Sequence, residues 1–224
     1  MPTFISIAVD GPSGAGKSTA ARLAARELGY AYADTGAMYR AVALYCLRES
    51  VDVNDGRAVA GVLGNIRVEL RGERQVLLNG EDVSGDIRTQ EVSDATSRVS
   101  AIPAVREELV REQREMARSQ NIVMDGRDIC TRVLPDAQVK IYMEAKPEKR
   151  AQWRVKELAQ KGLACDYDEI LKEMAERDFR DSTREDSPLV RHPDSVYIDT
   201  GELSEEEAAG RIVALAEQFR EKTT

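Results

Sequence analysis

The amino-acid sequence predicts an α/β fold, a parallel sheet with helices on both faces. Two observations carry that prediction. Five short apolar runs recur at residues 4–9, 30–33, 122–124, 139–143 and 196–198, and most precede apolar positions at helical spacing. Short buried strands alternating with helices form parallel sheets covered on both faces, because each crossover helix lies against one side. The segment 66–88 departs from this alternation, reading IRVELRGERQVLLNGEDVSGDIR. Its period-two stretches, a turn at Gly72 and the pair Asn79-Gly80 predict an antiparallel insert.

Taken in order, the first run is β-branched and stops at Asp10-Gly11-Pro12, and residues 18–28 then space their apolar side chains as a helix does. Further helices are expected over 38–48, 104–118, 147–161 and 204–221. Ser204 with Glu207 forms a capping box ahead of Ile212, Leu215 and Phe219. Gly162 after Lys161 suits a left-handed helix terminus. Residues 164–189 are highly charged and broken by Pro188, with too few apolar positions for a core helix, so a mobile surface element is expected there.

At 224 residues the chain suits one globular unit, or a core with one small inserted subdomain. Apolar content of 42% against 32% charged argues against global disorder. A formal charge of −8 argues against a surface devoted to nucleic acid, whose binding draws on clustered cations. Among 32 cations the 24 Arg outnumber the eight Lys, which fits either phosphate binding by a planar fork or the base composition of the genome. Cys46, Cys130 and Cys165 form no C-x-x-C pair, so neither a disulfide framework nor a zinc site is indicated. The start MPTFISIAVDG has no signal-peptide pattern, and no run of 18 apolar residues occurs. The expectation is a cytoplasmic protein with no membrane partner.

Gly11-Pro12-Ser13-Gly14-Ala15-Gly16-Lys17-Ser18, followed by Thr19, matches G-x-x-x-x-G-K-[ST] and falls between a strand and a helix, as that motif requires. Its glycines let backbone N–H groups surround a phosphate, to which the helix N-terminus adds positive partial charge. Lys17 is placed to reach the β- and γ-phosphates, and the Ser18 hydroxyl to bind Mg²⁺. None of Asn54, Asn65, Asn79 and Asn121 begins the N-K-x-D pattern that reads guanine, so a GTPase switch is not expected.

Three further segments carry ionic groups where ligands bind. In Asp34-Thr35-Gly36-Ala37-Met38-Tyr39-Arg40, opening the second helix, Thr35 and Arg40 suit a phosphate, although the segment alone reads equally as a helix cap. Asp125-Gly126-Arg127-Asp128 follows a strand, at the carboxyl edge where open α/β sheets take their ligands, and Asp125 suits a role beside Mg²⁺ or its water shell. In the charged element, Arg177, Arg180, Asp181 and Arg184 share one face at helical spacing. That face reads either as a solvated salt-bridged surface or as mobile cations closing over a transferring phosphoryl group. The single histidine, His192, lies outside every motif and is expected to be a surface bystander.

Together the segments DGPSGAGKS, DTGAMYR, GEDVSGDIRTQEVS, SRVSAIPAVRE, MDGRDI and ERDFRDSTREDSPL, in this order, resemble the bacterial cytidylate kinases of the nucleoside monophosphate (NMP) kinase family. The resemblance runs from about Ile5 to the C-terminal helix. It implies a P-loop NMP-kinase fold with a five-stranded parallel sheet, an antiparallel β insert in the NMP-binding part and a helical lid. The implied division is a core of residues 1–50, 100–163 and 190–224, an insert of 51–99 and a lid of 164–189, within one unit. It further implies ATP as donor, CMP or dCMP as acceptor and Mg²⁺ as cofactor; a monomer is expected. Thr35, Arg40, Arg127 and Arg184 are the implied phosphate contacts. Ser97, Arg106 and Asp128 are the implied readers of cytosine, and Arg177 with Asp181 reach the ribose. Lys17, Arg127, Arg180 and Arg184 are the expected catalytic cations. The loop 200–204 after the last strand is the topological candidate for the adenine. A P-loop kinase for shikimate or AMP would keep Lys17 and give no meaning to Ser97, Arg106 and Asp128. A nucleotide-sensing module would bind ATP without turnover.

Overall fold

The computed structural model describes residues 4–160 and 162–223. It begins with strand β1 (Ser6–Asp10), helix α1 (Lys17–Leu28), β2 (Ala31–Asp34) and α2 (Thr35–Arg48). The insert follows as α3 (Gly56–Val62), β3 (Val68–Arg71), β4 (Gln75–Leu78), β5 (Glu81–Asp82) and α4 (Gln90–Val99). Next come α5 (Pro103–Ser119), β6 (Ile122–Gly126), a π-helical turn (Ile129–Val133), β7 (Val139–Glu144) and α6 (Pro147–Gln160). The chain closes with α7 (Tyr167–Thr183), β8 (Val196–Asp199) and α8 (Glu205–Thr223). No described helix is long and apolar enough to cross a membrane.

Five strands form one parallel sheet in the order β2-β6-β1-β7-β8. Its central strand is buried on both faces because neighbouring residues serve opposite layers. Ile7 and Val9 join the alanines of α1 and the apolar side of α8, while Ala8 joins Met124, Val110 of α5 and Ile129. Ala20, Ala21, Ala24 and Ala25 of α1 are all buried, so small side chains bring that helix close to the sheet.

The antiparallel expectation holds at its turns. β3, β4 and β5 form a separate three-stranded antiparallel sheet. Asn79 and Gly80 both have positive φ, 51° and 88°, the conformation of a two-residue hairpin turn. This sheet has no core of its own. Val68, Val76, Leu78 and Ile87 pack into one cluster with Met38, Val42 and Leu44 of α2 and Val105 and Leu109 of α5.

Helix ends follow their capping chemistry. Ser204 N donates to Glu207 Oε2 at 2.7 Å and Glu207 N to Ser204 Oγ at 3.1 Å, the reciprocal pair the sequence predicts. Asp34 caps α2 by accepting from Ala37 N at 2.9 Å, so that helix starts at Thr35 and not at residue 38. Gly162 has φ 72°, as a left-handed terminus requires, and the expected last helical residue, Lys161, lies outside the described residues.

The charged element forms the 17-residue helix α7, as its helical spacing and the resemblance predict. Asp166 caps it, accepting from Asp168 N and Glu169 N. Ion pairs to the core, rather than a broad apolar face, hold its C-terminal half, through Asp178 to Arg150 and Asp181 to Arg127.

Candidate active site

The glycine-rich loop, residues 11–16, joins β1 to α1, and Lys17 and Ser18 open the helix. A side chain at Gly11 is sterically excluded, since its Cβ would lie 1.9 Å from the Met143 carbonyl oxygen and φ is 147°. Gly16 caps α1 with no side-chain acceptor, which leaves the first helical N–H groups to a ligand. The loop is braced from outside. Thr200 Oγ1 donates to the Ala15 carbonyl at 3.0 Å, which brings the start of the loop after β8 against the cradle.

Lys17 is buried and its Nζ donates to the Pro12 carbonyl at 2.6 Å. Burial, and then repulsion from Arg127, push its pKa down to about 7, against the attraction of Asp125 and Asp10. Ser18 Oγ donates to Asp125 Oδ2 at 2.8 Å. Burial and then Asp34 raise the Asp125 pKa to about 6, while Lys17 opposes them. Ser13, Gly14, Lys17 and Ser18 line the main cleft, whereas Thr19 faces a neighbouring crevice between α1 and the insert.

Every acceptor-side residue expected from the sequence lines that same cleft, which encloses about 690 Å³. Thr35 and Arg40 come from α2, Ser97 from α4, Arg106 from α5, Arg127 and Asp128 from the loop after β6, and Arg177 and Asp181 from α7. Arg184 lines it too, from just beyond the helix. Arg180 lines the cleft as well, so the four residues expected to share one face at helical spacing all reach it. Arg177 and Asp181 turn inward, Arg180 is exposed with Nε on its own helix at the Glu176 carbonyl, and Arg184 is already extended at ψ 143°.

Most of these cations are tethered by one edge. Arg40 pairs with Asp34 at 2.7 Å, Arg127 with Asp181 at 2.8 Å, and Arg106 with Asp128 in a fully buried contact. Arg184 stands 3.7 Å from the other Asp128 oxygen. Burial would raise the Asp181 pKa, but Arg127 and Arg177 outweigh it and hold the carboxyl below its ordinary value. At Asp128 burial wins over Arg106 and Arg184, and the pKa is raised. Burial and the Arg127 charge lower Arg177 to about 10.

Several buried polar atoms have no hydrogen-bond partner: Arg40 Nε, Ser97 Oγ, Arg106 Nε, Arg177 Nε, Arg184 Nη2, Tyr39 Oη and Asp178 Oδ1. Their residues, apart from Asp178, line the cleft. Orphaned buried donors are costly, so a surface that collects them suits an anionic, oxygen-rich ligand.

Sequence reasoning missed Arg150, which α6 buries beneath the phosphate loop. It donates to the Ser13 carbonyl at 2.9 Å, the Ala145 carbonyl at 2.9 Å and Asp178 at 2.6 Å. Two of these acceptors are backbone atoms, so no side-chain pattern announces them. Tyr39 was also missed; its ring centroid lies 5.6 Å from the Arg106 guanidinium carbon. Among the described residues no cluster of three or more His, Cys, Asp or Glu side chains suits a metal ion. Ser18 and Asp125 offer oxygen donors only, the set that fits Mg²⁺ held mainly by phosphate and water.

A phosphate cradle on one wall of a cleft, with a cationic cage on the other, on this sheet order, defines a P-loop protein of the NMP-kinase fold. Comparison with known proteins narrows the class. The family model described as cytidylate kinase matches residues 7–218. A cytidylate kinase of Pelotomaculum thermopropionicum is 48% identical over 218 residues, covering 96% of each chain. One from Caldanaerobacter subterraneus subsp. tengcongensis is 49% identical over 208 residues, covering 93% of this chain and 92% of the relative. One from Geobacillus thermodenitrificans is 46% identical over 221 residues, 97% of this chain and 99% of its own. The chain belongs to the cytidylate kinase family and is a phosphotransferase.

Proposed function

We propose that the chain transfers the γ-phosphoryl group of ATP to CMP or dCMP, giving CDP or dCDP and ADP, by direct in-line transfer assisted by Mg²⁺. The observation that carries this reading is the set of buried, partly unpaired cations facing the phosphate loop across one cleft. Two polyanions must be brought end to end there, and catalysis of such a transfer is mostly alignment and charge screening.

The acceptor is a phosphate monoester with a second pKa of about 6, already largely ionised at neutral pH, so no general base is required. Lys17 and the N-terminus of α1 hold the donor phosphates, with Gly11 to Thr19 as their cradle. Thr35, Arg40, Arg127 and Arg184 hold the acceptor phosphate, and Arg180 joins them as the lid closes. Ser18, beside Asp125, would hold Mg²⁺, which when bound neutralises charge on the β- and γ-oxygens. Arg177 and Asp181 meet the ribose. Asp128, Ser97 and Arg106 read the base, because cytosine offers an amino donor next to an acceptor nitrogen.

A coupled ADP-release assay with CMP, dCMP, UMP and AMP tests the reading. Turnover with CMP and dCMP, well above that with UMP and AMP, is expected. Equal rates on all four, or ATP binding without turnover on any, would contradict it.

A further inference from the structure

Asp125 is held by three hydroxyl groups from three elements, and one of them, the Tyr32 phenol, has no part in the chemistry above. Ser18 Oγ donates to Oδ2 at 2.8 Å, Tyr32 Oη to Oδ1 at 2.7 Å, and Thr35 Oγ1 to the Asp125 backbone oxygen at 2.7 Å. A carboxylate only accepts, so the Tyr32 phenol is the donor in its contact.

A serine hydroxyl has one proton and two lone pairs. While Ser18 gives its proton to Asp125, its lone pairs must face away from that carboxylate, the arrangement a cation ligand needs. This holds only while Oδ2 stays turned toward Ser18. The terminal torsion of an aspartate is soft, so one hydrogen bond does not fix its plane. Tyr32, projecting from β2 beside β6, supplies the second anchor.

We propose that Tyr32 is a positioning residue for the nucleotide-bound divalent cation: its phenol locks the Asp125 carboxylate so that Ser18 presents a lone pair to Mg²⁺. The inference rests on the nucleotide-site reading given above. Partners that orient a metal-site ligand commonly contribute tenfold or more to metal affinity. A purely structural phenol would instead affect nucleotide binding equally with and without metal.

Calorimetric titration of ADP into the full chain, once with excess Mg²⁺ and once with EDTA, gives the factor by which Mg²⁺ tightens binding. Tyr32→Phe removes a single oxygen, and its thermal melting confirms folding. Its metal-free Kd is expected to stay within about twofold of wild type while the Mg²⁺ advantage shrinks about tenfold. In an Asp125→Asn background the same substitution should produce no further loss, because the coupled partner is gone. An unchanged Mg²⁺ advantage in Tyr32→Phe overturns the proposal, and so does an equal loss in both titrations. Wild-type protein that binds ADP in neither condition overturns the nucleotide site itself, and the inference with it.

Discussion

The two walls of the cleft are built in opposite ways. On the phosphate-loop wall, backbone conformation does most of the work, and its side chains and carbonyls are paired without a ligand: Lys17 rests on Pro12, Thr200 on Ala15 and Arg150 on Ser13, while the first N–H groups of α1 stay open. On the acceptor wall, long charged side chains arrive from α2, α4, α5, α7 and the loop after β6, and several end in unpaired buried atoms. Each such atom costs about 1 to 3 kcal/mol when nothing meets it. The first wall is preorganised by the fold. The second is completed by what it binds, and the predictions probe that contrast.

The largest effect belongs to Lys17. Lys17→Ala removes a buried cation whose lowered pKa already marks it as strained, so the protein should fold as well as wild type. Turnover should nevertheless fall by at least about two orders of magnitude, the cost of one electrostatic stabiliser of the transition state. A rate within about tenfold of wild type would show that the preorganised wall contributes little.

Asp10, buried at the end of β1, accepts from Ile129 N and Cys130 N at 2.8 Å each. Burial lifts its pKa from 3.8 to about 6, so the folded chain holds this proton more tightly than the unfolded chain does. The resulting stabilisation is complete below about pH 4 and is lost as pH rises through about 6. Measured by urea denaturation against non-titrating Asp10→Asn, wild type should lose on the order of 2 kcal/mol between pH 4 and pH 7. A difference that does not vary with pH would contradict the burial.

The contrast between the walls also explains what could be read in advance. The phosphate loop and the Asn79-Gly80 turn were legible because each depends on local backbone conformation that only a few residue types adopt. Most ionic residues of the acceptor wall were legible from their own segments and Arg106 through the resemblance alone, and all of them line one cleft. Helix α4 was not read, since its buried positions Val92, Ala95, Thr96 and Val99 include a threonine and span barely two turns. Arg150 and Tyr32 were invisible for another reason. Their partners, Ser13 and Asp125, lie 137 and 93 residues away and are found only after folding.

Smaller, and specific to the second wall, is the response of α7 to ligands. Amide hydrogen exchange across residues 167–183 should slow by about tenfold when CMP and a non-hydrolysable ATP analogue are both present, as expected of a segment ordered by substrates. Exchange in the sheet strands β1 and β6 should not change. Equal protection of α7 with and without ligands would contradict an ordering of this element by substrates.

Recognition of the base tests the central claim most directly. Uracil exchanges donor and acceptor relative to cytosine at two adjacent positions, while a carboxylate only accepts and a guanidinium only donates. The buried Asp128 and Arg106 side chains thus suit cytosine and leave uracil with mismatched partners. The measurement is kcat/KM for CMP and for UMP, in wild type and in Asp128→Ala. The account predicts that the substitution narrows the CMP-to-UMP ratio by at least about tenfold, equivalent to about 1.4 kcal/mol. An unchanged ratio, with both rates reduced equally, would contradict it and assign Asp128 to holding phosphate or arginine in place.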